Sequence, residues 1–432
     1  MKRRVWAAIA AICWAFVGMA AKEAPAAKFV MAKGGQFLLD GKPYYFVGTN
    51  FWSGAILGST TKAGNRVRLL KELDQMKAIG INNVRVLVGA EGGEDSAYRV
   101  APTLQVQPGK YNEDLLTGLD YLLAEMGKRQ MVAVLFLTNS WDWSGGYGRY
   151  LEWNGYGKMP AIPSPDFDWP KYQEYMGQFH TCEPCRQMYF DQIRKIVGRT
   201  NTVTKRKYTE DPTIMTWELG NEPRAFGKSR IPAFEKTLSS TSAFIKSLDK
   251  NHLVATGSEG AMGSEDSIEL FEKVHADPNI DYLTIHIWPK NWTWLDVKDI
   301  PGSVDGAIAK TDAYVASHLE VANRLKKPLV LEEFGLPRDN HGYLPSEPTV
   351  ARDKYFENLL KKVAESGKKN DVLAGLNFWA YGGFGRPAQV WFKAGDDFLG
   401  DPPCEEQGLN TVFDTDTTIR LVKQFSAELN RK

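Results

Sequence analysis

Eight short apolar runs recur along the chain, and each is followed by a stretch whose apolar residues are spaced by three and four. The runs are "YYFVGTN", "NNVRVLVG", "MVAVLFLTN", "TIMTWELGNE", "HLVATGSEG", "DYLTIHIWP", "PLVLEEFG" and "LAGLNFWA". Their near-continuous apolar character suits parallel strands covered on both faces. The intervening stretches, such as "RVRLLKELDQMKAIG" and "NEDLLTGLDYLLAEMGKRQ", carry the period of amphipathic helices. Eight strand-plus-helix units in one chain predict an α/β fold, the (β/α)8 barrel. Ahead of them, "FVMAKGGQFLLDGKPYYFVG" reads as a β-hairpin turning at Asp40 and Gly41.

Two connections are oversized. The loop after the third strand, roughly 140–180, opens with "SWDWSGGYGRYLEWNGYG"; the loop after the eighth, roughly 380–415, mixes glycine, aromatics and charges. Loops of that length are usually functional or disordered. Both leave the carboxyl ends of strands, where barrel active sites lie. No internal repeat beyond the βα unit is visible, and no linker to a second domain.

Composition changes this picture at a few points. The chain has 432 residues with 53 basic against 52 acidic side chains. That balance gives no electrostatic argument for nucleic acid or an anionic membrane surface. Tryptophan is abundant, with 13 residues, more than a core requires; the surplus points to flat apolar faces offered to a ligand. The start, "MKRRVWAAIAAICWAFVGMAA", joins a basic end to an apolar run of roughly 16 residues and then small residues, the pattern of a secretory signal peptide. Residues 1–21 are therefore expected to be removed, leaving 22–432 as one barrel domain, secreted or periplasmic. An uncleaved membrane anchor is the alternative. No later segment has about 18 uninterrupted apolar residues.

Without the signal, Cys182, Cys185 and Cys404 remain, an odd count that leaves at least one thiol free or paired with another chain. "HTCEPCRQ" lacks the second ligand pair of a zinc site and the context of a redox motif. A structural disulfide is expected, with Cys404 able to pair with either member; inert thiols are the next reading.

Candidate chemistry sits at the strand ends. Strand four closes on Asn221 and Glu222 before Pro223, and strand seven ends on Glu332 and Glu333. Two carboxyls facing each other across a barrel rim suit glycoside hydrolysis, which uses one protonated acid at the leaving oxygen and one ionised group at the anomeric carbon. Arg85, a cation inside an apolar strand, calls for a carboxylate partner. Trp52, Trp141, Trp288 and Trp379 all follow strand ends, where an indole can stack on the C–H face of a sugar.

These residues carry a specific resemblance. "GNEPR", "EEFG", "NNVRVLV", "IHIW" and "LNFWA" resemble the motifs of glycoside hydrolase family 5, across nearly all of 22–432. The resemblance implies that Glu222 is the acid/base, Glu333 the nucleophile and Asn221 a partner of the sugar 2-hydroxyl. It implies that Arg85 holds the nucleophile ionised, that His286 lies beside the pair, and that Trp379 floors the cleavage subsite. "NEPR", "NSWDWSGG" and "HIWPKNW" are similar to the β-mannanase branch, with Arg224 on the leaving-group side and Trp288 and Trp141 in the cleft. Trp288 departs from the pattern, since many relatives carry tyrosine there, hydrogen-bonded to the nucleophile; an indole N–H donates but cannot accept.

The expected activity is retaining hydrolysis of β-1,4-mannosidic bonds in mannan, galactomannan or glucomannan, by a monomer that uses no metal and no cofactor. An exo-acting β-mannosidase or a cellulase of the same family is the alternative within enzymes. A non-catalytic sugar-binding barrel is the alternative outside them, and retention of both glutamates argues against it.

Overall fold

The computed structural model describes residues 29–93, 96–164 and 167–430. The segment 1–21, expected to be a signal peptide, lies outside them. All eight apolar runs form strands: β1 Phe46–Asn50, β2 Asn83–Leu87, β3 Val132–Phe136, β4 Ile214–Glu218, β5 Leu253–Ala255, β6 Leu283–Ile287, β7 Leu329–Phe334 and β8 Leu373–Phe378. They pair in parallel in the order β5-β4-β3-β2-β1-β8-β7-β6, a sheet nearly closed into a barrel. The last seam, β5 to β6, has no ladder. It is bridged by the Asp281 N–H to the Val254 carbonyl (2.8 Å) and the His286 N–H to the Glu259 carbonyl (3.3 Å).

Each strand is followed by its expected helix, from Arg66–Ala78 after β1 to Thr418–Leu429 after β8. Polar residues set several starts. Asn65, Asn112, Ser267 and Asp299 each accept a backbone N–H of the first turn, satisfying donors that the helix leaves open. No helix of the described residues is long and apolar enough to cross a membrane.

The amino end of the barrel differs from the expected single hairpin. Met31–Lys33, Gln36–Leu39 and Lys42–Pro43 form a three-stranded antiparallel meander. The reason is a second turn, Gly34–Gly35, with both residues at positive φ, ahead of the anticipated one at Asp40 and Gly41. The meander closes the barrel floor. Phe37 is fully buried, edge-on to Tyr282 at 5.1 Å and beside Phe46, within an apolar cluster that includes Val132, Met215 and Val330.

Both long loops are ordered by their own contacts. The one after β3 folds into helices Gly146–Trp153 and Trp169–Gly177, with Tyr147 stacked on Phe179 at 3.9 Å. Buried Glu91, past the end of β2, anchors it, accepting from Gln192 Nε2 (2.7 Å), the Gly146 N–H (2.9 Å) and Tyr150 Oη (3.1 Å). Burial pushes the Glu91 carboxyl up to about 7. Cys182 and Cys185 are disulfide-bonded at the start of the next helix, and Cys404 is free. The loop after β8 winds around buried Asp401, which accepts the N–H groups of Gly408, Asn410 and Thr411.

Candidate active site

Four strands converge on one guanidinium. Arg85, fully buried on β2, donates through Nε to Glu218 Oε2 (2.9 Å) and through Nη2 to the other Glu218 oxygen and to Asn221 Oδ1 (2.9 Å). Its Nη1 donates to Asn50 Oδ1 (3.0 Å) and to Glu333 Oε1. The Phe136 ring lies under it at 4.4 Å. Burial works against its charge, but Glu218 and Glu333 hold its pKa well above the ordinary value. An arginine inside an apolar strand is stable here because carboxylates from β4 and β7 meet it.

Glu222 stands just past β4 with φ of 51°, a backbone state side-chain-bearing residues rarely adopt. Its N–H bonds the Gly257 carbonyl (2.9 Å), which holds the turn. One carboxyl oxygen takes His286 Nδ1 at 2.8 Å and the other takes the Trp141 indole N–H. Trp288 also bears on Glu222, so the indole that replaces tyrosine serves Glu222, while Arg85 serves Glu333. Carboxyl oxygens of Glu222 and Glu333 and a ring nitrogen of His286 all lie within 4.8 Å of one another. Such a trio could hold a metal; its atoms already pair with one another through His286 Nδ1, and Arg85 takes one Glu333 oxygen.

Burial raises both carboxyls; the charge of Glu222 adds to the rise at Glu333, while Arg224, Trp141 and Arg85 oppose the rise at Glu222. Arg85 opposes the rise at Glu333, through its charge and its hydrogen bond. Burial and nearby Arg85 lower His286 to about 3, so the ring is neutral.

The cavity above this trio measures about 470 Å³. Asn221, Arg224, Trp141, Trp288 and Trp379 line it as expected. Trp52 does not. Its side chain is buried, with Nε1 donating to the Gly400 carbonyl (2.8 Å) and the ring edge-on to Trp143 and Phe398, so it fastens the β8 loop. Arg224 lies over the Trp141 ring at 5.2 Å, gripped by both oxygens of Glu259.

Several residues of the wall, and Glu218 beneath it, escaped the sequence reading. Glu218 and Glu259 lie in runs read as buried strand, and only their position near strand ends hinted at more. Trp169 stacks on Trp141 at 5.9 Å and reaches the cavity from the β3 loop. Glu405, from the β8 loop, lines it too, with Oε2 buried and without a hydrogen-bond partner among the described residues. Burial and the neighbouring Asp401 push Glu405 up to about 8.

A parallel barrel with paired carboxyls at its carboxyl rim and tryptophans around them defines a glycosidase. Residues 27–432 match the family model described as GH family 5 beta-mannosidase-like, and the chain belongs to glycoside hydrolase family 5. It is 31% identical to mannan endo-1,4-beta-mannosidase 7 of Arabidopsis thaliana, covering 85% of this chain and 80% of that one. Its fold matches a family 5 mannosidase from Rhizomucor miehei with a TM-score of 0.86 and 36% identity, over 93% of this chain and 98% of that one. The endo-1,4-beta-mannanase of the same organism matches with a TM-score of 0.67 and 23% identity, over 94% and 100%. The protein is a glycoside hydrolase of that family.

Proposed function

We propose that the enzyme cleaves β-1,4-mannosidic bonds with retention, Glu333 acting as nucleophile and Glu222 as acid/base. The observation that carries this is the asymmetric pair: two carboxyls within 4.8 Å, with Arg85 bonded to only one. The spacing suits a retaining enzyme, since inversion needs room for water, with carboxyls roughly 6.5–9.5 Å apart. One proton shared by the pair rests on Glu222, because the guanidinium favours the charge on Glu333. A Glu333 oxygen then bonds the anomeric carbon as the glycosidic bond breaks, and Glu222 gives its proton to the leaving oxygen. Water next gives a proton to Glu222 and bonds the same carbon, which releases Glu333. Asn221, at the cavity wall, is the residue placed to meet the 2-hydroxyl of a bound mannose, with His286 behind it on Glu222. Following the anomeric signals of fresh product by NMR tests the stereochemistry: β first supports retention, α first overturns it.

Endo action is the reading favoured by the names of the curated relatives. Exo action is favoured by the shape match to the Rhizomucor miehei mannosidase and by Glu405, whose free oxygen at the cavity wall could bind the end of a chain. Products from linear mannan distinguish them: mixed oligosaccharides for endo action, mannose alone for exo. We also propose export, tested by finding mature protein that lacks residues 1–21.

A further inference from the structure

The rim holds more buried carboxyl groups than the reaction uses. Glu218 and Glu332 are both fully buried beside Arg85. Glu332 is where β7 departs from regular pairing: Ile285 faces Leu331, but His286 faces Glu333, leaving Glu332 as the extra residue. Successive residues of a regular strand point to opposite sides. The bulge instead brings both Glu332 and Glu333 toward one guanidinium.

Three carboxyls thus face one cation, and they are not held alike. Glu218 takes Nε and Nη2 of Arg85, and Glu333 takes Nη1. Glu332 Oε2 is 3.8 Å from Nε, beyond hydrogen-bond reach, and 3.9 Å from His286 Nε2. Among the described residues neither Glu332 Oε2 nor His286 Nε2 has a hydrogen-bond partner. Tyr282 Oη reaches the other Glu332 oxygen only weakly, at 3.4 Å. Around Glu332 the charged and titratable groups are Arg85 on β2, Glu218 on β4, Tyr282 and His286 from the β6 segment, and Glu333 beside it. Arg85 is the only charged cation in that set, because His286 is neutral. A buried carboxylate without donors is among the most expensive groups a protein can hold. Glu332 Oε2 and Glu218 Oε2 flank the same Arg85 Nε, at 3.8 and 2.9 Å, and two acceptor-only carboxyls meet side by side only with a proton between them.

We propose that Glu332 is a positioning residue that keeps its proton and donates it to Glu218, leaving the charge of Arg85 to hold Glu333 ionised. Protonation reduces three negative charges around Arg85 to two, and it falls on the carboxyl that Arg85 does not bond. Burial and the neighbouring Glu218 push Glu332 well above the usual carboxyl range, in keeping with this. The role rests on Glu333 being the nucleophile; the placement of the proton does not.

The test pairs neutron crystallography of the perdeuterated enzyme at neutral pH with pH profiles of kcat/KM. A deuteron should lie on Glu332 facing Glu218, with none on Glu333. Glu332→Gln keeps an N–H donor and adds no charge, so its profile should superimpose on wild type. Glu332→Leu removes the donor; Glu218 then draws more of Arg85, and the acidic limb should move to higher pH with roughly a tenfold loss of kcat/KM on that limb for each pH unit moved. Absence of a deuteron from Glu332, or a Glu332→Gln profile moved toward acid, overturns the proposal. A Glu333→Ala variant that stays active overturns the nucleophile reading and so the role of Glu332, whatever the neutron map shows at its carboxyl.

Discussion

The two ends of this barrel are built on opposite terms. At the amino end, Phe37, Phe46, Tyr282 and Val330 pack as one apolar plug, and the two tyrosines at its edge each have an acceptor: Tyr44 with Asn82 (3.1 Å) and Tyr45 with the Asp371 carbonyl (2.6 Å). At the carboxyl end, charges are buried in contact with one another, Glu222 sits in a strained backbone state, and Trp379 Nε1, Glu332 Oε2 and Glu405 Oε2 have no hydrogen-bond partner among the described residues. A buried polar atom left open is a cost to folding. Others are scattered through the fold, but these three stand where a substrate hydroxyl or a catalytic proton could satisfy them. One end holds the fold together; the other accepts instability in exchange for chemistry.

Substitutions at the two ends should therefore separate activity from stability. The largest effect is expected from Glu333→Ala. Turnover should fall to background on every substrate, while Tm stays level or rises, because Arg85 keeps Glu218. A Tm collapse in that variant would mean that the upper end is structural after all. Glu222→Ala should lose roughly 10²- to 10⁴-fold on oligosaccharides, the usual worth of a general acid. Aryl glycosides with good leaving groups should be largely spared, and azide should speed turnover of the glycosyl-enzyme; equal losses on both substrates would break the assignment.

At the floor the pattern reverses. Phe37→Ala should cost about 3–5 kcal/mol in denaturant unfolding, with kcat of the folded fraction unchanged. A smaller effect tests the boundary between the ends, where Glu91 anchors the β3 loop. Its carboxyl titrates near 7 when folded against an ordinary 4.5, so the folded state binds more protons between those values. Stability should thus fall as pH rises from about 4.5 to about 7, by roughly 3 kcal/mol for this group, and level off above. Glu91→Gln should flatten that slope in unfolding measured across the same range.

The same division explains what the sequence disclosed. Strands and helices were legible because their apolar periods report burial, and burial is what the lower barrel is made of. Glu222, Glu333 and Arg85 were legible because a charge in or at the end of an apolar run is conspicuous. Glu332 was noticed only as a neighbour of Glu333, since a bulge depends on how β7 registers against β6, and no single strand carries that information. Trp52 misled for a related reason: position after β1 places an indole near the rim, but only the β8 loop, contributing the Gly400 carbonyl, decides which way it faces. The second turn of the meander was missed because Gly34–Gly35 is a turn signal overshadowed by the stronger Asp-Gly pair six residues on.

The seam between β5 and β6 gives the ring a clasp. Every other junction is a ladder, whereas this one hangs on two backbone bonds and two through the side chains of Asp281 and Thr284; one of the backbone bonds joins the Glu259 carbonyl to the N–H of His286. A hoop under thermal load parts at its weakest joint. Amide exchange in the barrel should thus start at Val254 to Glu259 and at the opening of β6, with the hoop parting beside the substrate. Anything that fills the cavity and spans Glu259 and His286 would lock the clasp, so occupancy and the rigidity of the whole ring rise together.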